Sequence, residues 1–119
     1  MGSKIVACHQ PNFLPWIGFF AKIYHADVFF LLDDVQFTQG HSKHNWTTRV
    51  RILAASGPLW LTVPLKRSRK GKQLIRDVQI DISNSRWLRK ILHTLEQNYK
   101  KTSYFEQYYS ELKKILVIQ

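Results

Sequence analysis

The first part of the chain alternates short apolar runs with polar and proline-containing loops. A run rich in β-branched residues from Lys4 to His9 predicts a strand. Pro11 and Pro15 interrupt it, and the composition from Ile17 to His25 predicts a helix. The almost continuous apolar run from Asp27 to Asp33 is typical of a strand buried on both faces. Together these elements predict a βαβ unit with a parallel sheet.

Alternation between apolar and polar positions continues in the middle of the chain. The segment from Trp46 to Ile52 has one apolar and one cationic face, and the segment from Leu59 to Leu65 alternates again. Gly57-Pro58 lies between them and is a turn signal, so the two segments predict an antiparallel hairpin. A third alternating run extends from Val78 to Ile82.

The last third of the chain changes to helical periodicity. An apolar stripe from Leu88 to Tyr99 follows a polar cluster, residues 83–85, that is typical of a helix cap. A second stripe from Phe105 to Leu116 follows Ser103, with Glu106 three residues later, which is the pattern of a capping box. The prediction is one α/β domain over residues 1–119: an amino-terminal βαβ unit with a partly parallel sheet, an antiparallel hairpin extension and two carboxyl-terminal helices.

Composition and charge limit the class of protein and its partners. With 45% hydrophobic and 22% charged residues, the chain is expected to fold as a soluble domain. A single cysteine, Cys8, and the lack of a long apolar segment or secretory signal favour a cytoplasmic location without a transmembrane segment. The net charge of +10 favours phosphorylated ligands, nucleic acid or an acidic membrane as partners. Five cations lie in LKRSRKGKQL, which predicts either a solvated loop or a phosphate contact.

The turn HQPNFLPW, between the first strand and the first helix, contains the first candidate functional residues. Ligands of α/β sheets bind at the carboxyl ends of the strands, so His9 could serve there as a general acid or base. Gln10 could hold a ligand through its amide, Trp16 could stack on a base or a sugar, and Lys22 lies on the helix that follows. The alternative is a rigid hydrophobic plug in which backbone groups satisfy His9.

Acidic residues follow the second predicted strand. Asp33 is expected at the same sheet edge as His9, where it could orient the imidazole, bind a ligand hydroxyl or hold Mg²⁺. Gln36 is expected on the same side as Asp34. The alternative is that these aspartates are cap or turn residues.

Two further pairs of side chains have suggestive spacings. Arg49 and Arg51 are two residues apart on a predicted strand, so their guanidinium groups would lie about 7 Å apart and suit a phosphate or carboxylate clamp. A solvated strand face is the alternative. His41 and His44 have the spacing of zinc ligands on a helix, but their segment contains glycine and no nearby Cys or acidic residue, so we expect no metal site.

Four segments of the chain resemble motifs of a known family. HQPNFLPWIGFFAKI, ADVFFLLDDVQF, NWTTRVRI and GPLWLTVPL occur in the same order in the WbqC-like family of bacterial proteins, which is found in gene clusters for O-antigen and other surface polysaccharides. The resemblance runs from about Ile5 to Tyr109. Because family proteins are considerably longer, it implies that this chain is the amino-terminal half of a longer architecture.

The resemblance also implies a function and a set of site residues. It suggests a role in polysaccharide production, with transfer of an amino acid such as glycine to a sugar. Thr48 and Val50 stand where the family usually has asparagines. The positions that match the family motifs are His9, Gln10, Pro11, Trp16, Lys22, Asp33, Gln36, Trp46, Arg49 and Arg51.

The resulting hypothesis is a group-transfer enzyme that acts on a nucleotide-linked or otherwise phosphorylated substrate, with Mg²⁺ as a candidate cofactor. His9 and Asp33 would be catalytic, and the other motif residues except Pro11 would bind substrate. The alternatives are a non-catalytic binding module for nucleic acid or acidic lipid, an inactive fragment, and a half that needs a partner subunit or a second copy. The order of elements is also loosely similar to that of nucleotidyltransferases with an HxGH motif, although this chain lacks the motif. Nucleotidyltransferase-like activity is therefore a further alternative.

Overall fold

The computed structural model of the protein describes residues 2–38, 45–68 and 71–117. The elements follow in the order β1 (Val6–His9), α1 (Ile17–His25), β2 (Val28–Leu31), β3 (Arg49–Ala54), β4 (Gly57–Thr62), one turn of 3-10 helix (Ile75–Asp77), α2 (Arg86–Tyr99) and α3 (Phe105–Val117). This order confirms the predicted α/β class. No helix in these three ranges is long and apolar enough to cross a membrane.

The βαβ unit consists of β1, α1 and β2. The two strands are parallel, with Val6 opposite Val28 and His9 opposite Leu31. The start of the unit is fixed by Asp27, whose amide donates to the carbonyl of Ile5 (2.9 Å) and whose carboxylate accepts from the amide of Ile5 (2.8 Å). The parallel pairing brings the carboxyl ends of both strands to one edge, as predicted.

The prediction that the second strand is buried on both faces is wrong for the described part of the chain. Val28, Phe30 and Leu31 are exposed, the latter two by 55% and 53%. The reason is that the sheet has two strands among the described residues, and α1 covers it mainly through the buried ring of Phe19, which contacts Phe29 edge-on. Much of the apolar surface of this unit therefore faces outward.

The predicted hairpin is formed by β3 and β4, which pair in antiparallel register, with Arg51 opposite Trp60. Its turn is Ala55-Ser56, two residues before the predicted position. Gly57 follows the turn with a φ of 111°, a conformation that glycine adopts without a steric penalty. The predicted alternation is confirmed, since Val50 and Ile52 pack against the core on one face of the hairpin.

The hydrophobic core lies between this hairpin and the two carboxyl-terminal helices. Its buried centre consists of Leu61 from β4 and Ile91 and Leu95 from α2, and α3 packs against it. Two polar contacts fix the layers: the Tyr109 hydroxyl on α3 donates to the carbonyl of Leu92 on α2 (2.9 Å), and the Asn98 side chain accepts from the amide of Ala55 in the hairpin turn (3.0 Å). Hairpin and helices therefore form one packed unit.

The two helix starts compare differently with the predictions. In the predicted cluster before α2, the side-chain oxygen of Asn84 accepts from the amide of Arg86 (2.9 Å), whereas the N-cap residue itself, Ser85, makes no side-chain cap hydrogen bond. The predicted capping box of α3 is out of register, since Tyr104, with a φ of 70°, directly precedes the first helical residue. The predicted third alternating run, from Val78 to Ile82, does not form a strand. It contributes a single isolated bridge, between Ile80 and Leu65.

Candidate functional site

The proline-containing loop after β1 crosses to the start of β3. The amide of Phe13 donates to the carbonyl of Trp46 (2.9 Å), and Leu14 takes the left-handed conformation, with a φ of 43°. The loop ends at Trp16, whose indole lies over Gly18 so closely that a Cβ atom there would overlap its six-membered ring. The loop therefore brings Trp16 to the same concave surface that Trp46 lines.

This concave surface is a hollow of about 510 Å³, which we call the His9 hollow. It brings together four of the residues proposed from the sequence, which come from two separate segments: His9, Trp16, Trp46 and Arg51. Sequence reasoning did not anticipate the rest of its wall, which consists of Asn12, Phe13, Leu14, Pro15 and Val50. An imidazole, a guanidinium group and two indoles thus share one open space.

The orientation of the His9 ring is set by its nearest neighbours. Nδ1 lies 2.8 Å from the carbonyl oxygen of Gln10, and the ring meets Phe19 edge-on, with centroids 5.2 Å apart. A carbonyl oxygen can only accept a hydrogen bond, so Nδ1 must be the donor, and in the tautomer that this contact favours Nε2 carries the lone pair that can accept a proton. Of the roles considered for Asp33, orienting the imidazole is filled at Nδ1 by the backbone carbonyl of Gln10, and binding a ligand hydroxyl or Mg²⁺ remains a prediction.

Arginine and tryptophan side chains share the outer face of the hairpin. The guanidinium carbon of Arg49 lies 3.9 Å from the ring centroid of Trp60, and that of Arg51 lies 5.8 Å from it. Trp46 adds a second indole, 5.5 Å from Trp60 between centroids. Arg49 is only 6% exposed, which excludes the alternative of a solvated strand face at this position. Both arginines therefore make cation–π contacts with one ring.

Trp60 is a part of this face that sequence reasoning missed. The sequence contains the signal, because the alternation that puts Leu59 and Leu61 on one face of the strand puts Trp60, between them, on the other. A two-residue turn would then have placed it opposite Arg51.

A second concave surface, of about 440 Å³, lies where Arg49 meets the segment after β4; we call it the basic cleft. Three cationic side chains line it: Arg49, Lys66 and Arg67. Hydroxyl and amide groups complete its polar lining, from Asn45, Thr48, Thr62, Ser68 and Gln73. Asp and Glu are absent from the described residues around it. The predicted arginine clamp is therefore divided, with Arg51 at the His9 hollow and Arg49 at the basic cleft.

Residues 10–119 match the WbqC-like protein family. The chain belongs to this family. A relative from Mycobacterium tuberculosis (strain ATCC 25618 / H37Rv), the "Uncharacterized protein Rv1507c", is 36% identical over 104 residues. That alignment covers 87% of this chain and 42% of the relative, so the chain spans less than half the relative's length. No solved structure matches this chain.

The other motif residues of this WbqC-like chain lie outside the His9 hollow. Asp33 accepts a hydrogen bond through its backbone carbonyl from the amide of Arg76 (2.9 Å). The ammonium group of Lys22 donates to a carbonyl of β1 (3.4 Å), and Gln36 lines a separate pocket. Gln10 contributes its backbone oxygen to His9 while the residue itself is exposed. The proposed catalytic role of Asp33 and the proposed substrate-binding roles of Lys22, Gln36 and Gln10 remain predictions.

Metal binding in the WbqC-like chain can be judged from the available ligands. Within residues 2–38, 45–68 and 71–117, no three His, Cys, Asp or Glu side chains are grouped so as to hold a metal ion. His41 and His44 lie outside the described residues. Among the described residues, none that lines the His9 hollow carries a carboxylate.

Proposed function

We propose that this WbqC-like chain supplies the substrate site of a group-transfer enzyme in surface-polysaccharide biosynthesis, acting on a nucleotide-linked or otherwise phosphorylated substrate. The observation that carries the proposal is the His9 hollow, where a proton-transfer group, an anion-binding group and two aromatic platforms share one space. In its finer form, the reaction is transfer of an amino acid such as glycine to a sugar. The proposed location is the cytoplasm.

Each side chain of the hollow has a role that follows from its chemistry. Nε2 of His9 would accept the proton of the attacking amine or hydroxyl, because Nδ1 is engaged by Gln10. As the new bond to the transferred group forms, the bond from that group to its phosphate would break, and the phosphate would leave with the electron pair. Arg51 would bind a phosphate oxygen through its fork of N–H donors. Trp16 and Trp46 offer flat apolar surfaces on which a base or a sugar ring can stack, and both are substantially exposed.

We infer further that the chain corresponds to the amino-terminal half of the family architecture, and that polypeptide equivalent to the rest of the mycobacterial relative covers the βαβ unit. Two facts support this inference. The accessible surface is 9596 Å², whereas a folded monomer of this length exposes about 6,700 Å². The relative extends well beyond the aligned 42% of its length. An apolar sheet face of this kind needs a covering layer.

The proposal is tested by a ligand screen followed by a matched pair of histidine variants. The whole chain is screened by thermal shift against nucleotide sugars and aminoacyl phosphates, since a ligand of the native state raises its stability. For any compound that binds, product is sought by mass spectrometry with wild type, His9→Gln and His25→Gln. His25 is the control because it is exposed on α1.

We expect His9→Gln to abolish turnover, to keep ligand affinity within a few-fold and to melt near the wild-type temperature, while His25→Gln behaves as wild type. Turnover by His9→Gln would contradict the proposal. A large loss of stability in His9→Gln would instead support the hydrophobic-plug alternative, in which the imidazole has a structural role.

A non-catalytic binding module for nucleic acid or acidic lipid is the second candidate. It is favoured by the net charge of +10 and by the exposure of Lys66 and Arg67. Such binding would weaken steeply as salt rises, because it releases counterions from the polyanion. Salt-tolerant binding of a nucleotide sugar, with no binding of an oligonucleotide or of anionic vesicles, would exclude this candidate.

A further inference from the structure

The basic cleft and the His9 hollow are adjacent along β3. Arg49 lines the cleft and Arg51 lines the hollow, and both guanidinium groups contact Trp60. Residues two apart on a strand are about 7 Å apart, so one extended ligand could reach both concave surfaces. A nucleotide-linked substrate has this form, with aromatic and sugar parts joined through phosphate groups.

The lining of the basic cleft suits an anion with several oxygen atoms. Cationic groups come from two directions, Arg49 from β3 and Lys66 and Arg67 from the segment after β4. Thr62 lies directly opposite Arg49 in the hairpin register, so a hydroxyl accompanies the guanidinium group on the same face. Because no described carboxylate lines the cleft, an anion there would not face a competing negative charge.

The buried arginine gives the cleft a prepared binding group. Arg49 is 6% exposed and lies 3.9 Å from the centroid of Trp60, so its planar guanidinium group is held in one orientation. A side chain already held in place loses little conformational entropy when it binds a ligand. Burial also strengthens its hydrogen bonds to an anion, because the local dielectric is lower than that of water.

We propose that the basic cleft binds the diphosphate group of the nucleotide-linked substrate and so places the rest of that substrate in the His9 hollow. The identity of the substrate rests on the proposed function, but the affinity of the cleft for a free diphosphate does not. A diphosphate fits better than a nucleic acid backbone, because the buried Arg49 lies inside a concavity of about 440 Å³ that admits a compact anion.

The test is isothermal titration of the whole chain with inorganic pyrophosphate at physiological ionic strength. Arg67→Gln removes one cation of the cleft, and Lys90→Gln removes one from the exposed surface of α2 as a control for net charge. We expect Arg67→Gln to weaken binding on the order of tenfold and Lys90→Gln to change it by less than about twofold. Thr62→Val, which leaves the charge unchanged, should weaken binding by a smaller factor.

Nuclear magnetic resonance distinguishes an Arg49 that binds the anion from an Arg49 that has only a structural role, because only the former changes its resonances when pyrophosphate is added. On addition of pyrophosphate, the Arg49 Nε–H and Trp60 indole resonances should shift, and those of Trp87 in α2 should not. Equal weakening by Arg67→Gln and Lys90→Gln would overturn the proposal, as would no pyrophosphate binding at millimolar concentration. Binding of an oligonucleotide without binding of pyrophosphate would also overturn it.

The two proposals fail separately. If the cleft binds pyrophosphate but His9→Gln keeps full turnover, the proposed catalytic role of His9 is contradicted and the proposed diphosphate site in the cleft is still supported. If turnover depends on His9 but pyrophosphate does not bind, the proposed diphosphate site is contradicted and the proposed function is still supported.

Discussion

The hairpin with its two helices and the βαβ unit are both rich in apolar residues, yet they bury them to very different extents. In the first region Leu61, Ile91 and Leu95 are 4%, 3% and 9% exposed. In the second, Ile17 and Phe30 are 84% and 55% exposed. The difference lies in the covering layers. Within the described part of the chain, the hairpin has α2 and α3 against one face, while β1 and β2 have α1 alone. An apolar pattern therefore indicates burial only where its covering element is present.

The largest expected effect comes from one substitution made in both regions. Leu95→Ala should destabilise the chain by about 2–4 kcal/mol, because it leaves a cavity in the core beside Leu61 and Ile91. Leu31→Ala should cost less than about 1 kcal/mol, because Leu31 is already 53% exposed. Chemical denaturation measures both free energies of unfolding. Equal losses would contradict the difference between the regions.

Hydrogen exchange should show the same difference along the backbone. Amides paired between β3 and β4, such as that of Leu61, are expected to exchange at least tenfold more slowly than those paired between β1 and β2. The reason is that the parallel pair can open without exposing the main core. Mass spectrometry or magnetic resonance under native conditions measures these rates. Slower exchange of the β1–β2 amides would contradict the comparison.

A smaller effect is expected at the contact between the two helices. Tyr109→Phe removes the hydrogen bond from the Tyr109 hydroxyl to the carbonyl of Leu92 and should cost about 1 kcal/mol. Tyr108→Phe is the matched control, since Tyr108 is 63% exposed, and it should be nearly neutral. Thermal denaturation of the two variants checks this, and equal melting temperatures would contradict the assigned contact.

The same tyrosine predicts a loss of stability in alkali. Burial, and secondarily the negative charge of Glu96, raises the pKa of Tyr109 above its ordinary value of 10.0. The neutral hydroxyl is therefore favoured in the fold, and this contribution is present below pH 10 and is lost as the pH rises through the raised pKa. Denaturation at a series of alkaline pH values should show a smaller decline for Tyr109→Phe than for wild type.

The smallest effect concerns a surface turn outside both regions. Hydrogen bonds from the Ser83 hydroxyl and then from its amide hold the pKa of Asp81 below its ordinary value of 3.8. This stabilisation is present above pH 3.8 and is lost as the pH falls through the lowered pKa. Ser83→Ala should raise the pKa of Asp81, as measured by magnetic resonance titration, while Ser56→Ala should leave it unchanged.

The fold was predictable wherever a pattern depends on neighbouring residues. The bounds of α1, Ile17–His25, agree with the prediction because proline blocks the preceding positions and the following strand begins directly. The hairpin and the two helices follow from alternation and from 3.6-residue periodicity. The predicted position of the hairpin turn and the predicted start of α3 were wrong, because Gly57 and Tyr104 take backbone conformations that composition does not reveal.

The candidate site was predictable in part. His9 was placed at a sheet edge by the order of its elements, but which side chains share its hollow depends on the path of the proline-containing loop. That path is fixed by the long-range hydrogen bond from Phe13 to Trp46, which no local pattern indicates. For the same reason Asp33, at the expected edge, does not line the hollow.

The most direct test of the central claim is whether Arg51 and the His9 hollow bind a nucleotide sugar. Calorimetric titration of the whole chain with UDP-glucose, GDP-mannose and dTDP-glucose would compare wild type with Arg51→Gln and with Arg89→Gln, which removes an equal charge from the exposed surface of α2. We predict that at least one compound binds, that Arg51→Gln weakens its affinity about tenfold, and that Arg89→Gln changes it by less than about twofold. Absence of binding to all three compounds, or equal weakening by both variants, would contradict the account.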